Sequence, residues 1–150
     1  MKSYAGIEAL EQVVGTHLGY SEWHEITQER VDLFAEATGD HQWIHVDPVR
    51  ASQGPFGAPI AHGYLTLSLI SLMLWEVFVV EGLGMTINYG LNKVRFPSPA
   101  PVGSRLRASV ALTELTHTDN GAQIVMRVTV EREGSDKPVC VADSVALLVP

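Results

Sequence analysis

Two acid/base side chains stand five residues apart in Gly39-Asp40-His41-Gln42-Trp43-Ile44-His45, and a His-Gly step follows in Pro59-Ile60-Ala61-His62-Gly63. A water molecule held between a carboxylate and an imidazole can lose a proton to one of them as it attacks, while the other orients it or delivers a proton. Asp40 and His45 therefore suit the addition of water to an activated double bond. Gly63 begins an apolar run, and free N–H groups at a helix start carry positive partial charge, so its amide could hold a carbonyl oxygen that gains negative charge. Each piece also has a plainer reading. An Asp after a helix-ending Gly often serves as a turn residue, a His near a Trp often packs, and Gly63 and His62 could simply allow tight packing or cap the helix. Asp40, His41 and His45 could also converge on one cation, although neither an HExxH pattern nor a cysteine cluster accompanies them.

These residues need elements to position them. From Gln28 to Thr38 the apolar residues Val31, Phe34 and Ala35 fall at helical spacing, with Thr27 as N-cap candidate and Gly39 as the stop, which predicts a short amphipathic helix ending just before Asp40. Asp40 to Pro59 carries Pro48, Gly54, Pro55, Gly57 and Pro59 and is expected to be largely irregular, as long functional loops often are. Gly63 to Val80 is apolar nearly all round and predicts a helix enclosed on most sides. A short strand is expected around Tyr20 to Ile26. The second half switches to period two: Leu106, Ala108, Val110 and Leu112 alternate with more polar positions, as do Ile124, Met126, Val128 and Val130, and Asn120-Gly121 between them signals a hairpin. Val139 to Val149, apolar on both faces, should lie inside the sheet, and Met85 to Phe96 predicts a fourth strand. An enclosed helix followed by antiparallel strands is an α+β arrangement in a single domain over residues 1–150.

Composition excludes several functions. A formal net charge of −7, with ten Lys and Arg spread along the chain, argues against nucleic acid as a partner. Apolar residues at 46% and charged residues at 18% are those of a folded domain rather than a disordered one. Cys140 is the single cysteine and is expected to be buried and inert. Ala58 to Trp75 lacks Asp, Glu, Lys and Arg, yet Pro59, His62, Gly63, Ser68 and Ser71 suit a core helix better than a membrane span. The opening residues lack the apolar core of a signal peptide, so a cytoplasmic location without membrane attachment is expected.

Taken together, Gly39-Asp40-His41-Gln42-Trp43-Ile44-His45 and Pro59-Ile60-Ala61-His62-Gly63 resemble the two motifs of the MaoC-like, (R)-specific enoyl-CoA hydratase family. Those motifs are approximately Gly-Asp-x-Asn-Pro-(Ile/Leu)-His and Pro-(Ile)-x-His-Gly. The form with Gln42 and Trp43 is similar to the nodulation protein N-like subgroup of dehydratases. The resemblance implies a hotdog fold, a long central helix wrapped by an antiparallel sheet, and a homodimer with active sites near the subunit interface. It implies Asp40 and His45 as the catalytic dyad and Gly63 as the oxyanion donor. Gln42, Trp43, His62, Ser71 and Arg95 are the corresponding expectations for substrate binding, with Lys93, Arg105 and Arg107 as further candidates for the CoA phosphates. Gln42 stands where many members carry an Asn that helps to orient the catalytic groups, and Trp43 stands where they carry Pro.

The implied reaction is reversible hydration of a trans-2-enoyl-CoA, an acyl-CoA small-molecule substrate, with no metal or redox cofactor. Two alternatives keep the same pocket: an acyl-CoA thioesterase, in which the carboxylate directs water at the carbonyl carbon, and a non-catalytic acyl-CoA-binding module. A single-layer sheet around one helix also leaves apolar strand surface to cover, which is a second reason to expect a dimer.

Overall fold

The computed structural model describes residues 1–150. The chain opens with a three-residue strand, β1 (Lys2–Tyr4), and a short helix, α1 (Ile7–Glu11), followed by β2 (His17–Tyr20) and β3 (His24–Glu25). Helix α2 (Gln28–Thr38) has the predicted bounds, because its ends are chemically specified. The Thr27 side chain accepts from the Arg30 N–H at 3.1 Å, and Gly39 adopts the left-handed conformation (φ 80°) that lets its own N–H close back on Ala35.

The segment expected to be irregular holds two short helices, α3 (Trp43–Val46) and α4 (Pro48–Ser52). Pro48 starts α4 rather than breaking structure: it occupies the first turn, where no N–H is needed, and the Asp47 carboxylate caps the Arg50 N–H. The central helix comprises α5 (Gly63–Ser68) and α6 (Ile70–Val77), which join at Leu69 with little interruption. The Leu69 N–H still reaches Leu65 and the Met73 N–H still reaches Leu69, each at 3.0 Å, so the axis runs through. It ends at Val77, short of the expected Val80. Phe78, Val79 and Val80 form β4 (Phe78–Val80) instead, because β1 lies parallel beside them and takes up their backbone groups.

Four antiparallel pairings build the main sheet in the order β2, β6, β7, β8, β5, and β3 also pairs β6. Here β5 is Met85–Arg95, β6 Arg105–Thr118, β7 Gly121–Arg132 and β8 Cys140–Val149. The β6–β7 turn falls at Asn120-Gly121, and β8 lies between two neighbours, as its two-sided apolar pattern requires. Leu106, Ala108, Val110 and Leu112 from β6, with Ile124, Met126, Val128 and Val130 from β7, form one inner face, and Ile70, Met73 and Val77 of α6 belong to the same core. Each fully buried large side chain contributes roughly 1.5–3 kcal/mol. The outer face carries ion pairs, Arg105 with Glu133, Arg107 with Glu131 and Arg127 with Asp143. β5 forms the exposed edge of this sheet, and Met85, Ile87, Tyr89 and Leu91 on it are all exposed. The central helix is less enclosed than its apolar sequence predicts: Tyr64, Ser68, Leu72 and Trp75 form one exposed stripe along it, because the sheet covers only the opposite face. No helix is long and apolar enough to cross a membrane.

Candidate active site

Three segments converge on the site. The end of α2 delivers Asp40 immediately after the Gly39 cap, where the Asp40 N–H reaches the Thr38 hydroxyl at 3.5 Å. Its carboxylate accepts from the Gln42 N–H at 3.3 Å, a local turn that leads the chain into α3. Helix α3 then turns His45 inward, where it is 6% exposed, whereas Asp40 stays in contact with solvent. The third segment, Pro59 to Gly63, is clamped from both sides. The Ile60 N–H donates to the Ile44 carbonyl, the Ala61 N–H to the Ala100 carbonyl, and the Val102 N–H to the Pro59 carbonyl.

The clamp fixes the state of His45. Its Nδ1–H donates to the Ile60 carbonyl at 2.7 Å, which leaves Nε2 without a partner in the chain and therefore available to water or substrate. Burial pushes the His45 pKa below its usual 6.5, and the neighbouring His62 ring lowers it further. The Ile60 hydrogen bond and the Asp40 charge oppose this without cancelling it. The ring is therefore a neutral base at neutral pH. His62 stacks on it with centroids 3.9 Å apart and an interplanar angle of 22°.

Asp40, His45 and His62 offer potential ligand atoms that lie within 4.8 Å of one another, so their types and spacing would admit a divalent cation. Hydrogen bonding argues against a three-ligand site, since the Nε2–H of His62 is donated to the Asp40 carbonyl and its Nδ1 is sealed from solvent. Two side chains are left, fewer than protein zinc sites use.

Gly63 follows His62 directly and starts α5, and its N–H has no acceptor within the chain. A Cβ at this position would sit 3.1 Å from the Phe96 ring, so packing as well as chemistry favours glycine here. Ser71 lies on α6 and accepts from Asn88 of β5 at 3.4 Å. It also lines an apolar cavity of about 300 Å³ with Leu74, Trp75, Phe78, Leu83 and Met126. None of Asp40, His45, His62 or Gly63 lines that cavity, but an adjoining groove shares Ser71, Leu74 and Asn88 with it and begins at Leu67, one turn beyond Gly63.

The other expected residues are spread wider. Gln42 contributes its backbone N–H to Asp40, and its side chain is exposed. The Trp43 ring packs against Gly54, with the Arg50 guanidinium 4.3 Å above it. Arg95 is exposed on β5 and donates to the neighbouring Val94 carbonyl, without a carboxylate partner. Arg105 and Arg107 are engaged by Glu133 and Glu131 on the outer sheet face, and Lys93 lies beside Asp143. The sequence reading missed Gln28, whose side-chain N–H donates both to the His45 carbonyl at 2.8 Å and to Asp32 at 2.9 Å. Nothing in its spacing marks this contact, which spans 17 residues. Phe34, read as a core residue of α2, also packs its ring on His62, 4.9 Å between centroids.

An antiparallel sheet packed against a central helix, with Asp40, His45 and His62 grouped just before that helix, is a hotdog fold with a candidate acid/base site. The chain belongs to the MaoC like domain family, whose model matches residues 9–135. It is 51% identical over 150 residues to 3-hydroxyacyl-thioester dehydratase Z of Mycobacterium tuberculosis, covering 99% of both chains. It is 44% identical over 140 residues to Nodulation protein N of Rhizobium leguminosarum bv. viciae, covering 90% of this chain and 86% of that one. Among solved structures it resembles the (R)-hydratase from A. caviae involved in PHA biosynthesis, with a TM-score of 0.73 and 25% identity over 91% of this chain and 98% of that one.

Proposed function

We propose that the chain catalyses the reversible, (R)-specific hydration of trans-2-enoyl-CoA to (R)-3-hydroxyacyl-CoA with Asp40 and His45 as the acid/base pair. The observation that carries this reading is the state of His45: buried, held through Nδ1–H by the Ile60 carbonyl, with Nε2 bare and the Asp40 side chain close by. Relatives named 3-hydroxybutyryl-CoA dehydratase and (R)-specific enoyl-CoA hydratase, 34% and 31% identical over parts of the chain, supply the substrate class and the stereochemistry.

In the forward direction the Gly63 N–H polarises the thioester carbonyl, which makes C3 electrophilic. The water oxygen bonds to C3 while its proton passes to the Asp40/His45 pair, and the electron pair of the C2–C3 double bond moves toward the carbonyl as an enolate. The pair then returns a proton to C2, so one water is added and both groups regain their starting state. Dehydration is the reverse. The axis through α5 and α6 places its positive end at Gly63, where the oxygen gains charge. An acyl chain starting at Gly63 would follow the groove from Leu67 to the Ser71 and Leu74 cavity. Ser71 is eight residues on, about 12 Å along a helix. Arg95 is the exposed cation free of a carboxylate that this reading assigns to CoA phosphate. No metal or redox cofactor takes part. The exposed β5 edge and the apolar side chains beside it are covered in a homodimer.

Crotonyl-CoA and a longer enoyl-CoA test the proposal. Loss of enoyl-thioester absorbance without free thiol, giving a product consumed by an (R)-specific 3-hydroxyacyl-CoA dehydrogenase, is expected. Thiol release would make the protein a thioesterase, and binding without either change would make it a binding module.

A further inference from the structure

His62 is the most heavily engaged side chain at the site, and none of its contacts is with solvent. It is 3% exposed, with the His45 ring stacked on it and the Phe34 ring of α2 tilted against it. Because the atom opposite Nε2 is a carbonyl oxygen, the nitrogen must carry the proton: His62 Nε2–H donates to the Asp40 carbonyl at 2.9 Å. Its Nδ1 is then a bare nitrogen, buried without a partner. Backbone bonds thus hold the two stacked rings in opposite tautomers, His45 protonated on Nδ1 and His62 on Nε2.

This arrangement joins the two members of the pair. Asp40 sits on an exposed turn whose side chain makes one local contact, with the Gln42 N–H just before α3. His45 arrives from α3, and Gly63 from the segment after it. We propose that His62 is a positioning residue, one that pins the Asp40 backbone through its Nε2–H and the His45 ring by stacking, and so sets the distance between the carboxylate and the imidazole. A side chain that merely bound substrate would face the opening, whereas this one faces Phe34, His45 and the Asp40 backbone. The buried Nδ1 has a cost that a packing residue would avoid, since an apolar ring of the same shape would leave no polar atom unpaired.

The inference rests on the proposed hydration, and two substitutions test it. His62→Phe keeps a ring for the stack and removes the donor to Asp40; His62→Gln keeps an N–H near the Nε2 position and removes the ring. In the folded protein, His62→Phe should lower kcat about 10- to 100-fold, the cost expected of a small misplacement. KM should stay within about threefold, because His62 need not touch the thioester. His62→Gln should recover about tenfold of that loss. Near-normal kcat in folded His62→Phe would overturn the proposal, as would a His62→Gln variant no better than His62→Phe.

If neither variant folds, imidazole nitrogen NMR of the wild-type protein decides. A fixed Nε2–H tautomer at His62 is expected, and an Nδ1–H tautomer would overturn the proposal, since it could not donate to Asp40. That measurement needs no activity. Wild-type protein that hydrates no enoyl-CoA would sink the proposed function and leave the tautomer result standing.

Discussion

The strand half of the molecule and the segment from Thr27 to Gly63 are stabilised by different means. β6, β7 and β8 meet side by side in regular register, and their inner faces are filled by Leu, Ile, Val, Met and Ala. The segment that carries the site is held by single polar contacts between residues far apart: His45 to Ile60, His62 to Asp40, and Gln28 to His45. His45 and His62 are two of the four buried polar residues in the chain, beside Ser21 and Thr66. A sheet of many equivalent apolar contacts loses stability by degrees. A site resting on a few directed hydrogen bonds loses function as soon as one is broken, because a buried polar group without a partner has no near substitute. Substitutions in the first region should therefore change stability at constant kcat, and substitutions in the second should change kcat more than stability.

The sharpest contrast is expected at the pair itself. Asp40→Asn and His45→Gln should each lower kcat by roughly 10²–10⁴ while affinity for a saturated acyl-CoA changes little. Parallel loss of affinity would show that they are contact residues. Gly63→Pro should cost roughly 10²–10³ in kcat by deleting the free N–H at a position where a helix accepts proline. Gly63→Ala is the control, since it keeps the N–H and presses only on Phe96. A Gly63→Ala loss equal to that of Gly63→Pro would assign the effect to packing.

In the core that the strand half shares with α6, Met73→Ala removes a fully buried side chain and should destabilise the fold by about 2–5 kcal/mol. Denaturant unfolding gives the loss, and kcat per folded molecule should be unchanged. A fall in kcat beyond about threefold would mean that the core reaches into the site.

The effect of pH is smaller and has a definite sign. In the proposed reaction His45 would act as a base in its neutral form, and burial lowers its pKa below the ordinary 6.5, so the acid limb of kcat/KM for hydration should fall below that value. Stability follows the same residue. The unfolded chain takes up the proton first as pH falls, so the contribution of neutral His45 is complete above about pH 6.5 and is lost as pH drops through the lowered pKa. An acid limb above 6.5 would contradict the burial argument. Smallest of all, burial raises the Cys140 thiol to about 11, so native protein should resist alkylation at mildly alkaline pH. Rapid labelling would show that β8 opens.

What could be read from the sequence follows the same division. Patterns carried by neighbours in the chain were legible: the Thr27 cap and Gly39 stop of α2, the Asn120-Gly121 hairpin, and the alternation in β6 and β7. The β1–β4 pair was not, because each strand is three residues long and its partner lies more than seventy residues away. The same hidden partner explains why the central helix ends at Val77 rather than Val80. Pro48 was weighed as a breaker, and the cap from Asp47 turned it into a helix start. At the site, the Gly39-Asp40 and His62-Gly63 steps were visible as motifs, so Asp40, His45 and Gly63 could be singled out as candidates. The contacts of Gln28 and the burial of His62 against Phe34 and His45 could not, since both depend on segments that meet only after folding.

The proposed mechanism requires Asp40 and His45 to act on one water, and the kcat of the Asp40→Asn/His45→Gln double variant tests this most directly. Residues that act as a unit are strongly non-additive, so the double variant should lose little beyond the worse single variant, within about threefold. Two losses that simply multiply would show independent action and contradict the shared-water mechanism.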